Sequence, residues 1–166
     1  MAKKPLQFTL NGSEKAVFTE DGQNLLDLLR RGVGDLTPKY GCGQGTCGTC
    51  TVLIDGEPHL SCLVLAETVA GRQVSTTAGL AEGTQLHPLQ QAFMDNFAAQ
   101  CGYCTPGMLL VAKALLDRNP NPTRQEVVEA IGGNICRCTG YEPIIQAILE
   151  AAEKSRSFGR SQSFQR

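Results

Sequence analysis

The residues best suited to chemistry in this sequence are its eight cysteines, which fall into two sets of four. The first set has the spacing C-x4-C-x2-C followed by a more distant cysteine, and consists of Cys42, Cys47, Cys50 and Cys62. The second set joins a C-x2-C motif to a later C-x-C motif, and consists of Cys101, Cys104, Cys136 and Cys138. Eight cysteines among 166 residues are too few for a disulfide scaffold, so their clustering indicates metal ligands or redox groups.

The spacing of the first set is that of plant-type [2Fe–2S] sites. Four soft thiolates suit two ferric ions bridged by sulfide, since each iron then receives two thiolates in a tetrahedral arrangement. Glycines interleave these cysteines, and we expect them to adopt positive φ and to bring backbone N–H groups close to the sulfurs: Gly41, Gly43, Gly45 and Gly48. Zinc is the weaker alternative, because zinc ribbons pair two C-x2-C knuckles.

The second set is predicted to lie at the N-termini of two helices. Its C-x2-C motif precedes a segment that Thr105 can cap, with Pro106 in the first turn. Its C-x-C motif precedes another helix, and the sequence does not determine at which of residues 139–143 that helix begins. The positive ends of both helices would stabilise an anionic cluster. Zinc remains a rival on the spacing of this set alone, and the first set favours iron because two clusters can conduct electrons in series.

The first half of the chain is predicted to form strands and turns around one short helix. An alternating strand leads into a turn at Asn11-Gly12, and a second hairpin turns at Asp55-Gly56. Between them, the segment QNLLDLLRRG is predicted to be a helix ending at Gly32. The segment RQVSTT is a last short strand, so a small mixed sheet packed on one helix is expected.

The second half changes to a helical period after a small-residue segment at 78–84. Apolar residues recur at steps of three and four, which predicts four helices with Phe93, Phe97 and Met108 in their core. A capping box beginning at Thr123 marks the start of one of these helices. The sequence therefore predicts an α+β fold in which a small sheet-containing unit is followed by a helical unit.

The chain is predicted to divide into domains at residues 1–78 and 79–154, with a mobile tail at 155–166. Its net charge of −1 gives no basic patch for a nucleic acid. No segment has the apolar length of a membrane span or of a signal peptide, so a cytoplasmic protein is expected.

Three motifs taken together, GCGQGTCGTC, QCGYCTPGM and GNICRCTGY, resemble the iron–sulfur subunit of molybdenum hydroxylases of the xanthine dehydrogenase family. The match extends over residues 5–154. The resemblance implies an N-terminal plant-ferredoxin-like (β-grasp) domain with one [2Fe–2S] cluster and a C-terminal four-helix domain with a second. Thr49 stands where many members of the family have Ala, at a position that is not a predicted ligand.

The resemblance also implies partners and cofactor contacts. In the family, residues at the positions of Gln100 and Cys138 contact the pterin of the molybdenum cofactor, which in bacterial members is usually molybdopterin cytosine dinucleotide. That cofactor would lie in a large subunit nearer the second cluster, and FAD would lie in a medium subunit nearer the first. The chain is thus expected in a hetero-oligomer, for which a dimer of heterotrimers is one possible form.

The expected function is to carry electrons from the molybdenum–pterin site through two [2Fe–2S] clusters to FAD. The chain would do no substrate chemistry and would contain no catalytic residue, while the whole complex would oxidise an N-heteroaromatic compound or an aldehyde. The alternatives are a free-standing two-cluster ferredoxin and a structural zinc or disulfide protein. The near-neutral charge offers no sign of the charged docking face that an exchangeable carrier would need.

Two residues outside the ligand sets carry predictions of their own. His87 precedes Pro88 and is predicted to be a helix-entry residue. Arg137 lies between two cysteines, where it is either a solvated surface charge or a fixed positive charge near the cluster.

Overall fold

The computed structural model describes residues 3–158. Within that range the strands form one five-stranded mixed sheet in the order β2-β1-β5-β3-β4. Strands β1 and β5 are parallel and the other neighbours are antiparallel. The strands are β1 (Lys3–Leu10), β2 (Ser13–Glu20), β3 (Thr51–Ile54), β4 (Glu57–Leu60) and β5 (Gln73–Ser75).

Both predicted hairpins are confirmed. Asn11 and Gly12 have φ of 51° and 78° between β1 and β2. Asp55 and Gly56 have φ of 51° and 87° between β3 and β4. Positive φ at both central residues is the type I′ geometry, whose twist matches that of the flanking strands.

The short helix of the first half is present but does not end where the sequence predicted. Helix α1 (Leu25–Asp27) begins at the cap residue Asn24 and continues as a π-helical segment (Leu28–Val33). The chain leaves this segment at Gly34, whose φ is +84°, and not at Gly32. The wider π-helical turn accounts for the two additional residues.

The second half contains helices α2 (Pro88–Asp95), α3 (Thr105–Arg118), α4 (Arg124–Ile131) and α5 (Glu142–Phe158). His87 caps α2, which confirms its prediction as a helix-entry residue. The capping box of Thr123 and Glu126 at α4 is also confirmed. None of the helices in residues 3–158 is long and apolar enough to cross a membrane.

The prediction that Phe97 belongs to the core is wrong. Helix α2 ends at Asp95, and Phe97 has φ of +51°, so the chain turns away before the helical period reaches it. Its side chain is 82% exposed, whereas Phe93 and Met108 are buried as predicted.

Helix α5 extends four residues into the stretch 155–166 that was expected to be a mobile tail. Ser155 to Phe158 contain no residue that breaks a helix, so the last helix continues through them. The rest of that predicted tail, 159–166, lies outside the described residues. The boundary predicted between residues 78 and 79 stays a prediction.

Two clusters of buried apolar side chains form the interior. One lies between the sheet and α1 and includes Phe8 and Leu25. The other lies among α2 to α5 and includes Met108 and Ile148. Leu53 of β3 belongs to the second cluster, so the sheet and the helices pack against each other directly.

Candidate metal centres

The first cysteine set lies at one end of the sheet. Cys42 and Cys47 are in the loop that leads from the π-helical segment to β3, and Cys50 immediately precedes β3. Cys62 follows β4, so the β3–β4 hairpin returns the chain to this loop. The thiol of Cys42 lies within hydrogen-bonding reach of Cys47, and that of Cys50 within reach of Cys62. The set therefore consists of two pairs.

The outer pair of the first set is surrounded by hydrogen-bond donors. Hydrogen bonds lower the pKa of Cys42 to about 5. The largest contribution comes from the Thr46 hydroxyl, and smaller ones come from the N–H groups of Gln44 and Thr46. The two N–H groups donate to Cys42 Sγ at 3.4 and 3.3 Å. Cys47 Sγ contacts the Thr49 hydroxyl at 3.2 Å. The donors to Cys42 stabilise its thiolate, which is the form that binds a metal.

The inner thiol of Cys50 has the opposite environment. Its side chain is buried, and burial raises its pKa to about 11. A bare thiolate is unfavourable there, and a bound ferric ion would supply the positive charge that the protein does not.

The loop needs its glycines for two separate reasons. Gly43, Gly45 and Gly48 have positive φ, as predicted. Gly41 does not, but a Cβ there would lie 2.5 Å from Thr49 Oγ1 and 2.7 Å from Cys47 Sγ. Gly41 is therefore required by close approach to a thiol, and not by a left-handed backbone as the sequence predicted.

The second cysteine set lies between helices of the second half. Cys101 and Cys104 precede α3, and Cys136 and Cys138 lie in the loop between α4 and α5. The sulfurs of Cys101 and Cys138 are 3.5 Å apart and exposed. The other two thiols are buried and within hydrogen-bonding reach of each other. This set also consists of an outer and an inner pair.

The thiols of the second set differ in their pKa values. Burial raises the pKa of Cys104 to about 12. Burial acts to raise the pKa of Cys136, but hydrogen bonds from Thr139, the Cys138 N–H and Cys104 together outweigh it, so this pKa is lowered. In the outer pair, the N–H of Tyr103 lowers the pKa of Cys101.

The beginning of α3 differs from its prediction. Cys104 itself is the cap residue, so the prediction that Thr105 caps the helix is wrong. Thr105 occupies the first helical position, and its buried hydroxyl has no hydrogen-bond partner among the described residues. A buried hydroxyl beside Cys104 that lacks a partner fits a site whose remaining acceptor is the cluster.

The pairing of the thiols fits binuclear clusters. The thiols of each set contact one another in two pairs. A [2Fe–2S] cluster requires two pairs of thiolates, one for each iron.

The two cysteine sets are joined by direct hydrogen bonds. The N–H of Ile135, next to Cys136, donates to the carbonyl oxygen of Cys47 at 2.9 Å. The buried Asn134 side chain donates to the carbonyl oxygen of Gly48 at 3.0 Å. Each of these contacts ties the C-x-C loop to the loop of the first set.

Close packing accompanies these hydrogen bonds. A Cβ on Gly107 of α3 would lie 2.4 Å from the carbonyl oxygen of Gly48. A Cβ on Gly48 would lie 2.6 Å from the carbonyl oxygen of Gly133. Glycine at both positions allows α3 and the C-x-C loop to pack closely against the loop of the first set.

The predicted pterin-contacting residues lie on one exposed edge. Gln100 is exposed and adjoins Cys101, whose sulfur meets that of Cys138. Arg137 is exposed between the two C-x-C thiols. The exposed Phe97 and Ile135 lie close in sequence to this edge.

Sequence reasoning missed several residues that support the site. The Asn134 side chain contacts Gly48 across a long stretch of sequence, so no local pattern signals this contact. The hydroxyl of Tyr141 accepts the N–H of Cys136 at 3.0 Å. The helix start that the sequence left open over residues 139–143 is at Glu142, and the Thr139 hydroxyl accepts the N–H of Tyr141 at 3.1 Å.

Comparison with known proteins agrees with this geometry. Residues 8–80 match the family described as "2Fe-2S iron-sulfur cluster binding domain", and residues 76–149 match "[2Fe-2S] binding domain". The chain is 46% identical over 154 residues to the nicotinate dehydrogenase small FeS subunit of Eubacterium barkeri, covering 93% of this chain and 98% of that one. The chain belongs to the iron–sulfur small subunits of the xanthine dehydrogenase family of molybdenum hydroxylases. The predicted resemblance is confirmed.

Two further relatives show how much of the family architecture this small subunit shares. It is 46% identical over 142 residues to the nicotine 6-hydroxylase small subunit of Paenarthrobacter nicotinovorans, covering 86% of each chain. It superposes on a chain of quinoline 2-oxidoreductase from Pseudomonas putida 86 with a TM-score of 0.91. The sequence identity in that comparison is 45%, with 95% of this chain and 98% of the other covered.

Proposed function

We propose that this small subunit carries electrons from a molybdenum–pterin site through two [2Fe–2S] clusters to FAD, the two cofactors being held by partner subunits. The observation that carries the proposal is the hydrogen bond from Ile135 to Cys47, which connects two sets of paired thiols. When bound, the clusters would supply one-electron redox chemistry. The two electrons released by substrate oxidation would therefore be transferred one at a time.

Each set of thiols is proposed to hold one cluster. Cys42 and Cys47 would bind one iron of the first cluster, and Cys50 and Cys62 the other. In the second cluster the outer pair would be Cys101 with Cys138, and the inner pair Cys104 with Cys136. The contacts within each pair and the N–H donors around the outer sulfurs support this assignment.

Electrons are proposed to enter at the second cluster. Its outer thiols are exposed beside Gln100, so a cofactor held by a partner can approach both the Gln100 amide and Cys138 Sγ. That cofactor is proposed to be molybdopterin cytosine dinucleotide in a large subunit. Gln100 would hydrogen-bond the pterin, and Cys138 would serve both as a ligand and as the first atom of the entry route.

Electrons are proposed to leave from the first cluster toward FAD in a medium subunit. Cys42 lies near the surface. Two exposed side chains pack against its loop, Tyr40 beside Gly43 and Leu63 beside Gly45. These apolar groups are suited to exclude water at a subunit contact. The chain would thus sit between its partners in a cytoplasmic heterotrimer, two of which could pair.

The substrate of the complex is proposed to be an N-heteroaromatic compound. Nicotinate, nicotine and quinoline, which name three of the similar proteins, all contain a nitrogen heteroaromatic ring. An aldehyde is the second candidate, because an aldehyde oxidoreductase is also 42% identical to this chain over 147 residues. The pocket that decides between them would belong to the large subunit.

Purification from the native host tests the assignment against a free-standing ferredoxin. We expect the chain to copurify with a molybdenum-containing and a flavin-containing subunit, and we expect both clusters to be reduced when substrate is added anaerobically. A chain that purifies alone, and whose clusters are reduced equally well by unrelated reductases, would support the free-standing carrier instead.

A further inference from the structure

A threonine hydroxyl contacts the thiol of a cysteine whose backbone carbonyl accepts the hydrogen bond between the two cysteine sets. Thr49 Oγ1 is 3.2 Å from Cys47 Sγ, and Cys47 is the residue whose carbonyl accepts the N–H of Ile135. Thr49 is buried, with 6% of its surface exposed, so water does not compete effectively for this hydroxyl. The proposed function does not assign it a role.

The geometry decides which way the hydroxyl donates. Apart from the sulfur, its nearby acceptor is the carbonyl oxygen of Lys39, at 3.4 Å. That separation is long for an O–H···O bond, which is usually about 2.7–2.8 Å, whereas 3.2 Å is short for a contact with the larger sulfur atom. When Cys47 is a ligand it has no proton, so the hydroxyl must be the donor.

The position of Thr49 is also fixed by its surroundings. A Cβ on Gly41 would lie 2.5 Å from Thr49 Oγ1, so only glycine there leaves room for the hydroxyl at this place. The backbone carbonyl of Thr49 accepts the N–H of Lys39 at 3.1 Å, which anchors the residue to the start of the loop.

We propose that Thr49 is a positioning residue that raises the reduction potential of the first cluster through its hydrogen bond to the Cys47 thiolate. The proposal rests on the proposed function only in assuming a [2Fe–2S] cluster on the first cysteine set. Reduction adds negative charge to the cluster and its sulfurs, so a donor to a ligand sulfur stabilises the reduced state more than the oxidised one. The bond therefore favours electron arrival at the first cluster.

The experiment is a redox titration of the cluster-loaded chain, followed by EPR. In Thr49→Val the hydroxyl is lost at nearly constant volume, and in Thr49→Ser it is kept. We expect the ratio of reduced to oxidised first cluster at a fixed potential to fall about three- to tenfold in Thr49→Val, tenfold corresponding to 59 mV for a one-electron couple. Thr49→Ser should stay near the wild type, and the second cluster should not change.

Two further variants make the result specific. Thr51→Val removes a buried hydroxyl two residues away that donates to the carbonyl oxygen of Gly48 at 2.7 Å and not to a sulfur, so it should leave the potential unchanged. If Thr49→Val fails to fold or to load, Thr49→Ala, the residue common in the family at this position, replaces it with the same expectation.

The possible outcomes separate the two proposals. A lowered potential in Thr49→Val or Thr49→Ala, restored in Thr49→Ser, supports the inference. An unchanged potential in the valine and alanine variants, or an equal shift in Thr51→Val, overturns it while leaving the proposed function intact. A wild-type chain with no [2Fe–2S] signal from the first set overturns both.

Discussion

The backbone N–H of Ile135 lies 2.9 Å from the carbonyl oxygen of Cys47 and donates a hydrogen bond to it. Ile135 adjoins Cys136 of the second cysteine set, so one hydrogen bond and a few covalent bonds connect a thiol of one set with a thiol of the other. The adjoining bond from Asn134 to Gly48 keeps the two loops together. The distance between the two sets is therefore fixed by the fold and does not depend on a partner.

Asn134→Ala is expected to loosen this junction. The variant removes one hydrogen bond to the carbonyl of Gly48, which still accepts the Thr51 hydroxyl, and the loss costs about 0.5–1.5 kcal/mol of unfolding free energy. The magnetic interaction between the two reduced clusters, measured by EPR, should weaken. Asn96→Ala is the control, because Asn96 also hydrogen-bonds across helices, but to Glu150 of α5 and not to a residue of either cysteine loop. Equal effects of the two variants on the EPR interaction would contradict the role of Asn134.

Gly107→Ala is expected to push the cysteine loops apart. The added methyl would lie 2.4 Å from the carbonyl oxygen of Gly48, and backbone cannot give way as a flexible side chain can. Overpacking of this kind typically costs about 1–3 kcal/mol, measurable by chemical denaturation. Gly133→Ala is the control, since a Cβ there meets nothing within 4 Å and its φ is not positive. If both alanines were equally tolerated, the close approach of Gly107 to Gly48 would not be structurally required.

The stability of α2 is expected to fall in acid because of His87. Burial, together with the nearby Lys113 ammonium, lowers the pKa of His87, although Asp117 opposes this, and Nδ1 accepts the N–H of Leu89 at 3.2 Å. The fold thus favours the neutral ring. The stabilisation that His87 gives to the fold is therefore complete above the ordinary histidine pKa of about 6.5, and it is lost as the pH falls below that value.

His87→Asn tests this assignment, because asparagine keeps a capping acceptor that does not titrate. The free energy of unfolding of the wild type, measured by urea titration between about pH 8 and pH 5, should decrease more steeply than that of the variant. Parallel curves would show that His87 is not the titrating group.

Serine substitutions are expected to separate the two clusters. Cys42→Ser should remove or strongly alter the EPR signal of the first cluster and leave that of the second, and Cys136→Ser should do the reverse. The reason is that Cys42 interacts with the thiol of Cys47 and Cys136 with the thiol of Cys104, in each case a member of the same set. Each variant is the control for the other, and loss of both signals in either one would indicate a single shared centre or a collapsed fold.

Local patterns in the sequence predicted the parts of the fold that local physics determines. The Asn11-Gly12 turn and the Thr123 capping box form because neighbouring residues satisfy each other's backbone groups, and both are where the sequence placed them. The spacing of the cysteines also predicts two sets of four, and the pairwise contacts between thiols fall within those sets. The assignment of each set to one cluster stays a prediction.

The remaining features depend on contacts between distant segments. The side chain of Asn134 meets a carbonyl 86 residues away, and no periodicity marks such a contact. Phe97 continues the helical spacing of apolar residues in the sequence. It is nevertheless not part of helix α2, because the helix ends before it and its φ is positive. Threonine is a common cap residue, but the residue that caps α3 is Cys104 and not Thr105.

EPR spectroscopy of the fully reduced chain, with the spins quantified, tests the central claim most directly. The account predicts two distinct signals that titrate at separate potentials and together amount to about two spins per chain, one for each [2Fe–2S] cluster. A single signal of about one spin, or a protein that gives no signal on reduction, would contradict the claim that both cysteine sets hold a cluster.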